Sequence, residues 1–148
     1  LKYRFNRNLG LYYGKELGSQ YALEKSNDPI EILVPVPIHA RKKFDRGYNQ
    51  SELLAKGIST VTGIPISTKV LKKIKNTKTQ TQLNKKERLL NTKGSFRVSE
   101  DIMKYKAIAI VDDVVTTGAT INAICEVLME KNINLQITIF SLALAQKE

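Results

Sequence analysis

Apolar residues recur along this chain at two spacings, one of three to four residues and one nearly continuous, and together they mark out its elements. In residues 9 to 25, Leu9, Tyr12, Tyr13, Leu17 and Tyr21 fall three to four apart, which predicts an amphipathic opening helix. "SNDP" then breaks it. "IEILVPVP" (30 to 37) reads as a buried strand ended by prolines, which cannot donate to the middle of a sheet ladder. A helix is predicted from about Asn49 to Thr62, with Leu54, Ile58 and Val61 on one face and Gly63-Ile64-Pro65 closing it.

"KVLKKI" (69 to 74) predicts another strand, and the polar, weakly patterned segment that follows reads as a long loop with a short helix near 84 to 91. "YKAIAIVDD" (105 to 113) is an apolar, β-branched run of the kind covered on both faces in a parallel sheet. A helix begins at the Thr-Gly turn after it, with Ile121, Ile124, Cys125 and Leu128 on its buried stripe, and "NLQITIFSLALA" supplies a last strand. Helix, strand, helix, strand, loop, strand, helix, strand is an α/β order. There is no internal repeat and no second core, so 148 residues predict one domain.

Charge changes this picture in one place. The chain carries a formal +10, and between Lys69 and Arg97 ten lysines or arginines face one acid, Glu87, so +9 of the total sits in that segment. Such a patch suits an anionic partner, a nucleic acid or a polyphosphate. No run approaches the roughly 18 apolar residues that span a bilayer, and "LKYRFNRNLG" lacks the apolar block of a signal peptide, so no membrane insertion is expected. The lone Cys125 excludes an internal disulfide and a cysteine-cluster metal site, and a reducing, cytoplasmic setting is expected.

The chemistry concentrates after the apolar run. In an open α/β sheet, ligands gather beyond the carboxyl ends of the strands, and there stand Asp112 and Asp113. Neighbouring strand residues point to opposite faces, so both acids can line one crevice only where the backbone turns. Thr116, Thr117, Gly118, Ala119 and Thr120 then set N–H groups and hydroxyls at a helix N-terminus, which favours a phosphate. One end wants hydroxyls and the other a phosphate, a division that suits a ribose 5-phosphate. Carboxylates also stabilise cationic character on a sugar ring.

Other readings of "DD" fit less well. A nucleoside-triphosphatase needs a phosphate loop, yet Gly10 to Glu16 has one residue too few between its glycines and no Ser or Thr after Lys15. Phosphoreceiver domains carry paired acids near their start, and only 35 residues follow Asp113. A polar strand end that merely caps a helix would explain Thr117 but not two adjacent acids.

"IAIVDDVVTTGAT" (108 to 120) resembles the phosphoribosyl-pyrophosphate signature of type I phosphoribosyltransferases. "VPVPIHARKKFDRGYNQSELLA" (34 to 55) and the spaced set Thr77, Gln80, Leu83, Arg88, Asn91 and Phe96 resemble the ComF family of competence-associated, amidophosphoribosyltransferase-like proteins. The resemblance implies a type I phosphoribosyltransferase-like domain over 1–148. Its central sheet is mainly parallel, with helices on both faces and a flexible basic loop at about 75–88.

The resemblance also implies roles. Asp112 and Asp113 would be the catalytic acids that hold the ribose, and Thr116 to Thr120 would anchor the 5-phosphate. The loop after the first strand would bind pyrophosphate through His39, Arg41, Lys42 and Arg46, with Gly47 turning the chain into the next helix. Lys42 and Ala40 stand where arginine and proline are expected, and lysine lacks the bidentate fork. The loop from Lys75 to Arg88, with Thr77, Gln80 and Arg88 as candidate contacts, would close over the donor and exclude water. Lys75 and Lys78 either bind pyrophosphate or are solvated.

The implied ligands are phosphoribosyl pyrophosphate and Mg2+, the ion held through ligand and waters with no protein metal site of its own. Single-stranded DNA and competence proteins are candidate partners, and a homodimer stays open. The N-terminal cysteine-rich zinc module common in the family has no counterpart before Cys125. Two functions follow: an enzyme moving the phosphoribosyl group to an unidentified acceptor nitrogen, and a non-catalytic nucleotide-sensing or single-stranded nucleic-acid-binding module on the same fold. Phe96 is the only aromatic in the basic segment, which weakens the second.

Overall fold

Three strands, β1 (Ile32–Pro35), β4 (Ala107–Val115) and β5 (Gln136–Leu144), form the central sheet in the order β1-β4-β5. Both pairings are parallel: Ile32 lies opposite Ile108 and Pro35 opposite Val111, while Ala107 lies opposite Gln136. This computed structural model describes residues 6–24, 29–38, 40–74 and 94–144. The expected short helix near 84 to 91, His39, and the loop residues Thr77, Gln80 and Arg88 lie outside them.

The side-chain period of two divides the core between the sheet's faces. Ile32, Val34, Val36, Ile108 and Ile110 face one layer, built from α4 (Ala119–Lys131) and a 3₁₀ turn (Glu100–Lys104), where Ile102, Ile121, Ile124 and Leu128 are buried. Leu33, Ala109 and Val111 face the other, formed by α3 (Gln50–Thr62) with Leu54, Ala55 and Ile58. Each fully buried Leu or Ile contributes roughly 1.5–3 kcal/mol. The mainly parallel sheet with helices on both faces is therefore observed.

The opening helix α1 (Arg7–Leu23) is capped by Asn6, whose side chain accepts from the N–H of Leu9 at 2.8 Å. Its buried positions are Gly10, Gly14 and Gly18, not the expected stripe as a whole. Leu17 and Tyr21 do pack on the core, but Tyr12 and Tyr13 are 57% and 41% exposed. The reason is close approach to α3. A Cβ on Gly14 would lie 2.3 Å from the carbonyl oxygen of Leu54, and one on Gly57 2.4 Å from that of Leu11, so neither position admits a side chain without moving backbone.

Helix α3 begins and ends where expected, with Asn49 as N-cap and Gly63 at φ 75° as C-cap. Val61, expected on its buried face, is 41% exposed. The strand expected at 69 to 74 forms as β2 (Leu71–Lys73), but it is not in the central sheet. It pairs antiparallel with β3 (Phe96–Val98), a strand the pattern did not announce because three residues are too short to show alternation.

Candidate functional site

Helix α2 (Ala40–Arg46) occupies the segment expected to be a pyrophosphate-binding loop. The stretch holds good helix formers and no breaker until Gly47, which takes φ 79° and accepts a hydrogen bond from the Arg7 guanidinium at 3.2 Å. Arg41 is exposed on α2. Lys42 and Arg46 lie on the same helix, so these three positions are one turn or so apart rather than strung along an open loop. The Lys43 ammonium binds both carboxylate oxygens of Glu52, at 3.0 and 3.1 Å, tying α2 to α3.

Both aspartates lie inside β4, which continues through Val115 rather than ending at the acids. The ladder with β5 runs from Ala107–Gln136 to Asp112–Ser141, skips Asp113, and resumes at Val114–Ala143. There the N–H of Asp113 donates to Oδ1 of Asp112 at 2.9 Å, and the Ser141 hydroxyl donates to the Asp113 carbonyl at 3.3 Å. A backbone-to-side-chain hydrogen bond thus links the two neighbouring acids. Burial, and then the adjacent Asp113 carboxyl, push the Asp112 carboxyl up to about 7, against which hydrogen bonds from the Asp113 N–H and, to a lesser extent, from Ser51 act.

Past Val115 the chain turns through Thr116–Gly118 into α4. Gly118 is the N-cap residue, left-handed at φ 77°, and the Thr117 hydroxyl accepts from the N–H of Ala119 at 3.2 Å. Asp112 and residues Val114 to Ile121 line one small cavity of about 40 Å³. Asp112 and the expected phosphate turn, Thr116 to Thr120, are therefore brought together. Asp113 joins them through its contact with Asp112.

Three residues absent from the expected site surround it. Asn49, 3% exposed, donates from its amide to the Val36 carbonyl at 3.1 Å and accepts from the N–H of Ser51 at 3.0 Å. Ser51, 4% exposed, donates its hydroxyl to Oδ1 of Asp112 at 3.5 Å. Ser141 is set opposite Asp112 by strand register. The sequence placed Asn49 only at the start of a predicted helix, and all three come to the acids from distant parts of the chain.

A cavity of about 840 Å³ lies at the other end of the sheet, lined by Glu31, Tyr105, Ala107, Asn132 and Gln136 among others. There the backbone N–H groups of Lys106, then Ala107, hold the Glu31 carboxyl below its usual range. That is a structural tie between strand starts, at the end of an α/β sheet where ligands do not ordinarily gather. Cys125 is half-buried, and burial pushes its thiol up, away from the nucleophilic form.

Of the basic segment, Lys69, Lys72 and Arg97 are described and exposed, with Lys72 opposite Arg97 across β2 and β3. Phe96, the segment's one aromatic, is 7% exposed and part of the core. Among the described residues no cluster of three or more His, Cys, Asp or Glu could hold a metal ion, and no helix is long and apolar enough to cross a membrane.

Fold and site together define an α/β protein with an acidic crevice at the carboxyl end of its central parallel strand and a helix N-terminus beside it. No family model matches the chain. It is 38% identical over 117 residues to competence protein F of Haemophilus influenzae, covering 78% of this chain and 51% of that protein. It is 34% identical over 97 residues to the DNA utilization protein YhgH of Salmonella typhimurium, and 32% identical over 111 residues to competence protein ComFC of Bacillus subtilis. Those matches cover 66% and 75% of this chain but 42% and 43% of the relatives. The chain thus spans about half the length of the curated relatives it matches. These relatives support the ComF resemblance.

Proposed function

We propose that the chain binds 5-phosphoribosyl 1-pyrophosphate and transfers its phosphoribosyl group to an acceptor nitrogen. The observation that carries this is the shared cavity: Asp112, paired with Asp113, lines the same small space as the Thr116–Thr120 turn. A ribose 5-phosphate offers a cis-diol to the acids and an anion to the N–H groups of the turn. During transfer the bond from the anomeric carbon to pyrophosphate breaks and one to the acceptor nitrogen forms. The acids then oppose the charge of an oxocarbenium-like transition state.

This reading implies Mg2+, a small hard ion that keeps several waters and would be held mainly through the ligand's oxygens, beside the hard carboxylates of Asp112 and Asp113. Asp112 and Asp113 would stand nearest to it, and when bound it supplies positive charge to the departing pyrophosphate. The direct test is pyrophosphate release on adding donor, magnesium and candidate acceptor amines, with calorimetry of the donor alone as its binding arm. Absence of both heat and release rejects the reading.

The names of the relatives, competence protein and DNA utilization protein, support a role in DNA uptake or use. They give a second reading, a nucleotide-sensing or nucleic-acid-binding module, one observation in its favour: the exposed Lys72–Arg97 pair with Lys69 beside it. The burial of Phe96 removes the base-stacking surface such a module would use there. A salt titration of single-stranded DNA binding separates the readings, since docking on lysine and arginine loses affinity steeply with salt.

A further inference from the structure

Two hydrogen bonds converge on one oxygen of Asp112. The N–H of Asp113 comes from the same strand, and the Ser51 hydroxyl comes from the first turn of α3, 61 residues away in sequence. The backbone that carries Ser51 is held in place. Its own N–H is held by the Asn49 side chain, whose amide group is in turn fixed to the Val36 carbonyl just past β1. Both residues are almost wholly buried. One chain of contacts therefore runs from the end of β1, through the start of α3, to the acidic end of β4.

We propose that Ser51 is a positioning residue for Asp112: its hydroxyl sets the orientation of the carboxylate that receives the sugar and couples it to the segment following β1. This rests on the sugar-phosphate reading of the site. At 3.5 Å the bond is long, and under this proposal it shortens when ligand draws the carboxylate into its working position. The charged group facing Asp112 is Asp113 on its own strand; α3 presents the Ser51 hydroxyl and β5 sets Ser141 opposite. Ser51 is thus the one side-chain donor to Asp112 among the described residues that comes from another element, beside the backbone N–H of Asp113.

The test uses the full chain with Ser51→Ala and the near-isosteric Ser51→Cys, which keeps the volume but donates poorly. Aspartate carboxyls are followed by carbon NMR against pH in the free protein, and the binding of phosphoribosyl pyrophosphate with magnesium is measured by calorimetry. Both variants should move the Asp112 midpoint upward and weaken binding about three- to tenfold at neutral pH. An unmoved midpoint in both overturns the proposal, and so does a midpoint moved in Ser51→Ala alone, which would mark a packing role. If Ser51→Ala fails to fold, Ser51→Cys decides by itself. Absence of donor heat in the unaltered chain rejects the sugar-phosphate reading instead, while the carboxyl titration still decides whether Ser51 governs Asp112.

Discussion

The N–H of Asp113 donates to the carboxylate of Asp112, 2.9 Å away, within the stretch of β4 that runs beside β5. Neighbouring strand residues ordinarily diverge, and this hydrogen bond links the two adjacent acids despite that. The pair shares a problem: with burial and a second carboxyl beside it, Asp112 ionises only near pH 7.

Donor binding should accordingly strengthen as pH rises through about 7, because a protonated Asp112 accepts fewer hydrogen bonds from a diol. Calorimetry of phosphoribosyl pyrophosphate with magnesium between pH 5.5 and 8.5, in steps of about half a unit, measures this; a flat profile contradicts the assignment of Asp112 to the sugar.

Folding should respond in the opposite sense. A carboxyl whose folded value lies above its unfolded value of 3.8 holds its proton better in the folded state, so stability declines as pH rises from about 4 to about 7. Asp112→Asn removes that penalty. The variant should be more stable than the unaltered chain at pH 8, by about 1–2 kcal/mol once the partial exposure of the site is discounted, and should lose that advantage at pH 4. Its transfer activity should fall at least about a hundredfold. Urea unfolding at the two pH values, beside a pyrophosphate-release assay, measures both.

Gly57→Ala should destabilise the protein by about 3 kcal/mol, since its Cβ would meet backbone of α1 on three sides and neither helix can yield by a rotamer change. Gly63→Ala is the comparison: no atom lies within 4 Å of its added Cβ, and only the left-handed backbone at φ 75° opposes it, at about 1 kcal/mol. Equal losses in the two variants, read by denaturant midpoint, would show that the helix crossing is looser than described.

Gly118→Ala separates turn geometry from packing. The added Cβ meets nothing closer than the Asn122 amide at 3.9 Å, so stability should drop only by the roughly 1 kcal/mol of a left-handed alanine. Donor affinity should drop more, about tenfold, as the N–H groups of the Thr116–Thr120 turn lose their aim. Affinity that falls no further than stability would detach that turn from the phosphate.

Much of the fold was readable along the chain. The runs at Ile32–Pro35, Ala107–Val115 and Gln136–Leu144, and the helices at Gln50–Thr62 and Ala119–Lys131, follow their hydrophobic periods and their Asn and Gly caps. The opening helix was found, but its contact face was misread. Hydrophobic spacing rewards Tyr12 and Tyr13, whereas the buried stripe is glycine, chosen for the absence of a side chain. Helix α2 was missed because a basic loop and a short basic helix look alike without a partner to fold against.

The sequence by itself determined an α/β chain whose acids stand beside a threonine-glycine turn, since strand and helix periods and turn residues act over a few neighbours. Only the tertiary structure decided that Asp112 and Asp113 would meet, that Ser51 would reach Asp112, and that Phe96 would be core rather than surface. Those outcomes depend on strand register and helix crossing. Both are set by contacts between residues tens of positions apart, for which local spacing carries no signal.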